Sequence, residues 1–230
     1  MKNFSKTLKT AILTATVPFG MMVSTNASAE LSASAGIATS YLWRGFELGS
    51  GTPALSADLV YSTGGFYAGV WVSSGDTTAG TEYDLFAGYG GSIGESISYD
   101  ISYASYIYPT GQFSETEGPG DFAEVIVNVG VGPLSLTYKD NVAGGIGGYA
   151  FTEDYSYYSI DTSAGDFSFT LGFHDEGVDV AAVTGDSTHF DVTYAASENL
   201  AFTFSTIVSS DDGFAEPEPT VVASYSIPLL

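Results

Sequence analysis

The chain contains no cysteine and very little positive charge. Without cysteine it can form neither disulfides nor thiolate metal sites, and a thiol nucleophile is excluded. It has 27 acidic residues against only five basic ones. Contacts to nucleic-acid phosphates need basic side chains, so we expect no nucleic acid among its partners. The sequence also lacks an apolar run of the roughly 18 residues that a membrane-spanning helix requires.

The first 29 residues have the three parts of a secretory signal peptide. Three lysines open the segment, an apolar stretch follows over 11–23, and residues 27–29 read Ala-Ser-Ala, the small-residue pattern of a cleavage site. A retained membrane anchor is the alternative, but this apolar stretch is short for it. We expect cleavage after Ala29, so that the mature chain begins at Glu30. Only Arg44 and Lys139 then face 27 acids, a net charge of −25.

Apolar and polar residues alternate through most of the remaining chain, which is the period of a strand with one buried face. In 167–175, for example, Phe and Leu occupy every second position. Several such segments have about 9–11 residues, the length that crosses a bilayer when a strand is tilted. The alternation predicts twelve strands: 31–43, 54–62, 66–74, 82–91, 97–108, 122–131, 134–140, 154–163, 167–175, 188–195, 200–209 and 220–227.

The connections between these strands alternate in length. The short ones follow even-numbered strands, at 63–65, 91–96, 132–133, 164–166 and 196–199. The long ones follow odd-numbered strands, at 44–53, 75–81, 109–121, 141–153, 176–187 and 210–219. An even strand count with this alternation is typical of outer-membrane barrels, whose short turns face the periplasm. We predict an all-β fold in one domain over 30–230, a transmembrane antiparallel up-and-down barrel of about 12 strands in contact with outer-membrane lipid. A soluble two-sheet sandwich is the alternative.

Seven acidic residues fall within the predicted strands, mostly at polar positions of the alternation. A charge on the lipid face is costly, so we expect these acids in the barrel lumen, where their potential would favour cations. Acidity that reflects a saline habitat or loose binding of divalent cations is the alternative. The candidates for the lumen and its selectivity are Arg44, Asp58, Glu82, Asp84, Asp100, Glu124, Lys139, Asp161 and Asp191.

Four sequence blocks in the first half resemble a known family. Residues 40–45 read SYLWRG, 53–58 PALSAD, 65–74 GFYAGVWVSS and 82–89 EYDLFAGY. Their order and spacing resemble those of the TorF family of proposed porins. The resemblance implies an outer-membrane barrel with a porin role, and it implies no particular solute.

Arg44 is the only arginine beyond the leader, at the end of the first predicted strand. It is either a constriction residue of the lumen, paired to an acid such as Glu82, Asp84 or Glu124, or one half of a buried ion pair that fixes the barrel interior. We favour the structural ion pair, because an unpaired interior charge is expensive.

His174 and His189 flank the fifth long loop on the polar phase of adjacent strands. With Asp175 or Asp191 they form a weak candidate for a metal site of two histidines and a carboxylate. Two ordinary interior histidines are the preferred interpretation, so we expect no metal and no other cofactor.

Trp43, Trp71 and many tyrosines lie toward the ends of the predicted strands. In a membrane barrel, aromatic residues at these positions form girdles at the two lipid–water interfaces. We therefore expect both tryptophans on the outer face.

Three functions are compatible with these features of the sequence. The preferred one is an outer-membrane porin for passive diffusion of small polar solutes or ions, leaning toward cations. The alternatives are a structural or adhesive barrel with acidic outer loops, and a barrel-type hydrolase. The last is disfavoured because there is no G-x-S-x-G elbow and only two histidines are available as bases. We expect no enzymatic activity and assign no catalytic residues.

The leader and the strand pattern together predict the cellular location. N-terminal sequencing of the protein from a Gram-negative host should begin at Glu30, and cell fractionation should recover it in the outer membrane. Unheated and boiled samples should migrate differently on a detergent gel. Recovery as a soluble periplasmic protein would favour the sandwich instead.

Overall fold

The computed structural model describes residues 29–48, 51–75, 80–110, 119–143, 155–176, 185–211 and 218–230. Apart from Ala29, the expected signal peptide lies outside these residues, as do parts of all six long loops. Within the described ranges the secondary structure is entirely β. These ranges contain no helix that is long and apolar enough to cross a membrane.

Fourteen strands are present in the described ranges. They are β1 (Glu30–Ala38), β2 (Leu42–Trp43), β3 (Phe46–Glu47), β4 (Ala54–Thr63), β5 (Phe66–Ser73), β6 (Glu82–Ile93), β7 (Ile97–Ile107), β8 (Ala123–Val131), β9 (Leu134–Ala143), β10 (Ser156–Ala164), β11 (Phe167–Asp175), β12 (Ser187–Ala195), β13 (Leu200–Ser210) and β14 (Thr220–Pro228).

Twelve of these strands close into one antiparallel barrel in chain order, which confirms the predicted fold. The first strand closes the ring, because β1 pairs with β14 through Ser34–Ala38 and with β4 along its whole length. Closure gives every strand two neighbours, so no row of unpaired N–H and C=O groups is left at an edge. In hydrocarbon, which offers no partners to such groups, closure is obligatory.

The predicted first strand, 31–43, is wrong in its second half. The barrel strand ends at Ala38, a bend follows at Thr39 and Ser40, and Leu42–Trp43 pairs instead with Phe46–Glu47. The apolar alternation continues through both pieces, so its period could not show the break. The predicted first long loop, 44–53, therefore contains strand β3 and starts inside a hairpin.

The short connections lie together at one end of the barrel, called here the short-turn end. Between β4 and β5, Gly64 and Gly65 have φ values of 58° and 91°. A two-residue turn with positive φ at both positions matches the twist of the strands it joins, and glycine adopts it without steric cost. The six long connections lie at the other end, the long-loop end.

The outer face of the barrel is an apolar band. Large aliphatic and aromatic side chains on this face are 40–64% exposed, among them Leu31, Leu55, Leu59, Phe66, Ile101, Leu136, Ile160, Phe204 and Val221. A water-soluble monomer rarely exposes so large a continuous apolar surface. Hydrocarbon is the environment in which this surface is stable.

The expected aromatic girdle is present, but the two tryptophans are not part of it. Near the short-turn end, Phe66 contacts Tyr89 with ring centroids 4.6 Å apart, and Tyr89 lies 6.3 Å from Tyr99. Trp71 points into the barrel and is only 1% exposed, and Trp43 belongs to the inner hairpin. Trp71 follows the alternation of β5, in which Val70 and Val72 are the outward residues.

The barrel interior has two different halves. Toward the long-loop end, Tyr41, which lies just before β2, forms a cluster with buried inward side chains of β4–β8, namely Ala54, Trp71, Phe86, Ala104 and Ile126. Toward the short-turn end, inward positions are mostly Ser, Thr, Asn and Asp, and many of them are half-buried. Any aqueous space in the barrel therefore borders the polar half.

The inward and outward phases can be tested with one pair of neighbouring residues in the middle of β8. Val127 points outward and Asn128 inward, where its side chain accepts a hydrogen bond from Thr137. We expect Val127→Arg to destabilise the barrel by about 2–4 kcal/mol, the cost of arginine on the lipid face at mid-bilayer. Asn128→Arg is the matched control and should cost clearly less, as measured by urea unfolding in lipid vesicles. Equal destabilisation by both variants would contradict the assignment of faces.

Candidate functional site in the barrel interior

The hairpin β2–β3 occupies the barrel interior at the long-loop end. Its two-residue turn consists of Arg44 (φ 45°) and Gly45 (φ 90°). A Cβ atom added to Gly45 would lie 2.4 Å from the Cβ of His189, so the turn touches the opposite wall. The left-handed backbone is costly for Arg44, which has a Cβ, so other contacts must hold the turn in place.

Arg44 is 6% exposed and carries the main contact between the hairpin and the wall. Its Nη2 atom lies 2.6 Å from Oε2 of Glu124, and its Nη1 donates to the hydroxyl of Tyr155 over 3.0 Å. The guanidinium carbon also lies 4.8 Å from the ring centroid of Trp43 and 4.9 Å from that of Tyr157. Of the three acids considered as partners from sequence, the structure pairs Arg44 with Glu124.

A closed circuit of hydrogen bonds connects Arg44 to His174. Nε2 of His174 lies 2.8 Å from the carbonyl oxygen of Arg44, which can only accept, so Nε2 carries a proton. In the neutral ring, Nδ1 then accepts from the Tyr155 hydroxyl over 2.9 Å. The Tyr155 oxygen in turn accepts from Arg44. His174 therefore fixes the backbone of Arg44, Tyr155 fixes its side chain, and the two residues are bonded to each other.

Glu82 fixes the base of the hairpin. Its two carboxylate oxygens accept from Tyr41, over 2.6 Å, and from Tyr108, over 2.9 Å. Tyr41 precedes β2, so this contact joins the start of the hairpin to strand β6. Within the hairpin, Ser40 donates to the carboxylate of Glu47. Phe46 and Leu42 are buried as well.

The other strand acids also face the interior. Asp58 accepts from Ser34, and Asp100 accepts from Tyr67 over 2.8 Å. These two acids lie in β4 and β7, which β5 and β6 separate. Each has a hydroxyl donor as its partner and no basic side chain beside it in the contacts that the structure shows.

Asp161 and Asp191 lie in the polar half of the interior, in β10 and β12. Asp161 accepts from Ser159 and Thr170, over 2.7 and 2.6 Å. Asp191 accepts from Ser205 over 2.6 Å. Both carboxylates are half-buried.

Asp84 differs from the others because it is 4% exposed and its Oδ1 atom has no hydrogen-bond partner in the described part of the chain. Lys139 also points inward, from β9, at the level of Ile126 and Tyr157. It is half-buried. Among the described residues, the barrel strands therefore direct seven carboxylates inward, and the two basic side chains of the interior are Arg44 and Lys139.

Three titratable groups between the strands stay protonated. Burial opposes the charge of Arg44, but Glu124 and the nearby tyrosine oxygens more than offset it, so the Arg44 pKa lies well above its ordinary value. Burial raises the pKa of Tyr108, with Glu82 adding to the shift, and burial also raises the pKa of Tyr155. Both tyrosines therefore act as donors.

The two histidines, weak metal candidates from sequence, are engaged by other partners. Nδ1 of His189 donates to Asp191 over 3.1 Å, and Nε2 forms a hydrogen bond of 2.9 Å with the Tyr157 hydroxyl. The rings of His174 and His189 lie 5.8 Å apart. Among the described residues, no group of three or more His, Cys, Asp or Glu side chains has an arrangement that would hold a metal ion.

Sequence reasoning missed the tyrosines of the site. Tyr106 donates to Glu124 over 2.6 Å, and Tyr41, Tyr108, Tyr155 and Tyr157 contact the other charged groups. One signal was available for Tyr106 and Tyr157. They occupy inward positions of strands whose outward residues are also apolar, so an aromatic residue there interrupts the polar inward face. Tyr108 and Tyr155 lie just beyond strand ends, where alternation gives no information.

A family model matches most of the sequence. It describes bacterial proteins of unknown function, is named Gcw_chp, and matches residues 23–208. The chain belongs to the Gcw_chp family. The resemblance to the TorF family is not confirmed by this match. No curated protein sequence matches the chain.

Three solved structures are similar to this Gcw_chp protein at very low identity. A structure from a study titled "Unveiling the Mechanism Behind the in-meso Crystallization of Membrane Proteins" has a TM-score of 0.56 at 9% identity, over 86% of this chain and 84% of that one. Outer membrane phospholipase A from Escherichia coli has a TM-score of 0.45 at 8% identity, over 91% of both chains. The KdgM porin in complex with disordered oligogalacturonate has 0.44 at 7% identity, over 86% and 98%. Only the first of these likenesses has a TM-score above 0.5, and it concerns the fold alone.

The burial of Arg44 can be tested with trypsin, since Arg44 and Lys139 are the only basic residues beyond residue 29. The folded barrel in detergent should resist cleavage after Arg44. Glu124→Gln leaves the buried guanidinium without its counter-ion, which costs about 3–5 kcal/mol, so the hairpin should leave the lumen more often and be cut. Fragment masses report the site of cleavage.

Asp161→Asn is the matched control, because it removes an interior acid that does not touch Arg44. It should stay as resistant as the unmodified protein. Equal cleavage after Arg44 in the unmodified protein and in Glu124→Gln would show that this ion pair does not hold the hairpin.

Proposed function

We propose that this protein is a bacterial outer-membrane channel for passive diffusion of small polar solutes or ions, with a preference for cations. The observation that carries the proposal is the barrel interior, where the described strands direct seven carboxylates inward against two basic side chains. The outer apolar band and the closed ring of strands support a location in a membrane. The expected signal peptide, cleaved after Ala29, supports export to the outer membrane.

The charge of the interior favours cations for a simple physical reason. A low-dielectric wall around a narrow aqueous path focuses the field of the charges that line it. Asp58, Asp161 and Asp191 are half-buried and lie in the polar half of the interior, so a permeating ion would pass within reach of their potential. Their hydrogen-bond partners are hydroxyl groups and a histidine.

The inner hairpin narrows this path at the long-loop end. Arg44, Phe46 and Leu42 are buried inside the barrel, and Trp71 fills the wall beside them. We therefore expect the channel to admit only small solutes past the hairpin. Rings of charge and narrow constrictions of this kind set selectivity in other channels.

The same hairpin supports a second candidate, a structural barrel whose lumen is plugged. In that case the acidic residues of the long-loop end would bind partners outside the cell, and nothing would pass through. Conductance separates the two candidates, because a plugged barrel carries no current in a planar bilayer.

A barrel-type hydrolase receives no support from the site. His189 and Asp191 form the pair that would orient a catalytic base, but the other ring nitrogen of His189 bonds to Tyr157. Both ring nitrogens of His174 are likewise engaged, by Arg44 and Tyr155. Neither histidine is therefore placed to activate a serine nucleophile.

The proposed preference can be tested by measuring reversal potentials in a salt gradient. The unmodified protein should conduct and show a cation-selective potential. Replacing Asp58, Asp161 and Asp191 together by Asn should move the potential toward zero, because three negative charges leave the polar half while volume is kept. The effect should be largest at low salt, since the Debye length is about 10 Å at 0.1 M and shortens as salt is added.

The matched control removes three acids from the short turns instead, as Glu95→Gln, Asp166→Asn and Glu198→Gln. These side chains are exposed, so screening should leave the potential nearly unchanged. An anion-selective unmodified protein, or equal shifts in both triple variants, would contradict the role of the interior acids. A folded protein without conductance would favour the plugged barrel.

A further inference from the structure

Three wall residues surround the guanidinium of Arg44: Glu124 from β8, Tyr155 before β10, and Tyr157 in β10. We propose that these three residues, called here the guanidinium cage, form a binding site for free guanidinium-type cations, and that Arg44 occupies it as a tethered ligand. The proposal deepens the channel function, on which its role in permeation rests. Binding itself does not depend on conduction.

The cage has the chemistry of a cation site. Glu124 supplies a carboxylate 2.6 Å from Arg44, the Tyr155 hydroxyl lies at 3.0 Å, and the Tyr155 and Tyr157 ring centroids lie 5.7 and 4.9 Å from the guanidinium carbon. A planar, weakly hydrated cation gains both from aromatic faces and from a carboxylate. Small alkali ions are strongly hydrated and fit such a surface less well.

Arg44 fills the cage incompletely. Only Oε2 of Glu124 pairs with it, while Oε1 of Glu124 and Nε of Arg44 are both buried without a hydrogen-bond partner in the described part of the protein. A guanidinium and a carboxylate pair best through two parallel hydrogen bonds. A free cation, which no backbone restrains, can turn to use both carboxylate oxygens.

The tether also costs backbone energy. Arg44 holds a φ of 45°, a left-handed conformation that is unfavourable for a residue with a Cβ. The hairpin forms a separate two-stranded sheet, bonded to the wall at its turn through His174 and Ser205. Binding of a free guanidinium requires no strained backbone, so the free cation can compete with Arg44 for the cage.

The first experiment uses Arg44→Ala, which empties the cage and keeps its walls. Calorimetric titration of the detergent-solubilised variant with guanidinium at millimolar concentration, far below denaturing levels, should show saturable binding. Titration with potassium at the same ionic strength should not. Binding should be at least about tenfold weaker to the unmodified protein, where the tether competes, and to Arg44→Ala combined with Glu124→Gln.

Arg44→Ala leaves Glu124 buried without its cation, so this variant can fail to fold. In that case guanidinium added during refolding should restore the yield of the heat-modifiable barrel, while potassium should not. Arg44→Lys provides a second route, because its charge is kept while the planar contacts with the rings are lost. Its cage should bind guanidinium more tightly than the unmodified protein does.

The proposal is overturned if guanidinium binds Arg44→Ala no better than it binds the version that also carries Glu124→Gln, or if it neither rescues refolding nor binds Arg44→Lys. Conductance distinguishes this failure from failure of the channel proposal. If the unmodified protein does not conduct but its Arg44→Ala variant binds guanidinium, the cage proposal is supported and the channel proposal fails. A conducting protein without guanidinium binding gives the opposite result.

Discussion

The structure depends first on the requirement that every backbone N–H and C=O group in hydrocarbon find a partner within the protein. Twelve strands meet it only as a closed ring, which β1 completes by pairing with β14 on one side and β4 on the other. Closure then separates the side chains into two populations. Apolar residues on the outward phase face lipid, and the polar and acidic ones of the inward phase share one enclosed space.

That constraint explains why the fold could be predicted from sequence. In β11, Phe167, Phe169 and Leu171 occupy every second position. This alternation predicts that the segment is a strand, which of its faces points outward and how long it is. The alternating lengths of the connections predict the topology. The twelve barrel strands agree with the prediction to within three residues at their ends, except at residues 39–43. There the same alternation continues through a bend, and only the pair Arg44–Gly45 carries a local turn signal.

The interior site was predictable only in part. The alternation of apolar and polar residues placed Glu124 and Arg44 inside the barrel. The cost of an unpaired interior charge indicated that Arg44 forms an ion pair. Which acid pairs with Arg44 depends on where the hairpin turn lies along the barrel axis, and one chain's alternation does not encode that distance. The tyrosines that complete the site are missed for a related reason, since phase does not distinguish a tyrosine that fills space from one that donates to a carboxylate.

The hairpin also bears on the order in which the molecule assembles. Its turn contacts residues 80, 111, 130 and 160 positions further along the chain, through Glu124, Tyr155, His174 and Ser205. Contacts of such long sequence separation form slowly, because a large loop must be closed before they are made. Docking of the turn therefore needs strands from the last third of the chain already in place. We therefore expect the Arg44–Glu124 pair, which depends on the docked turn, to form late in folding, after the wall has assembled.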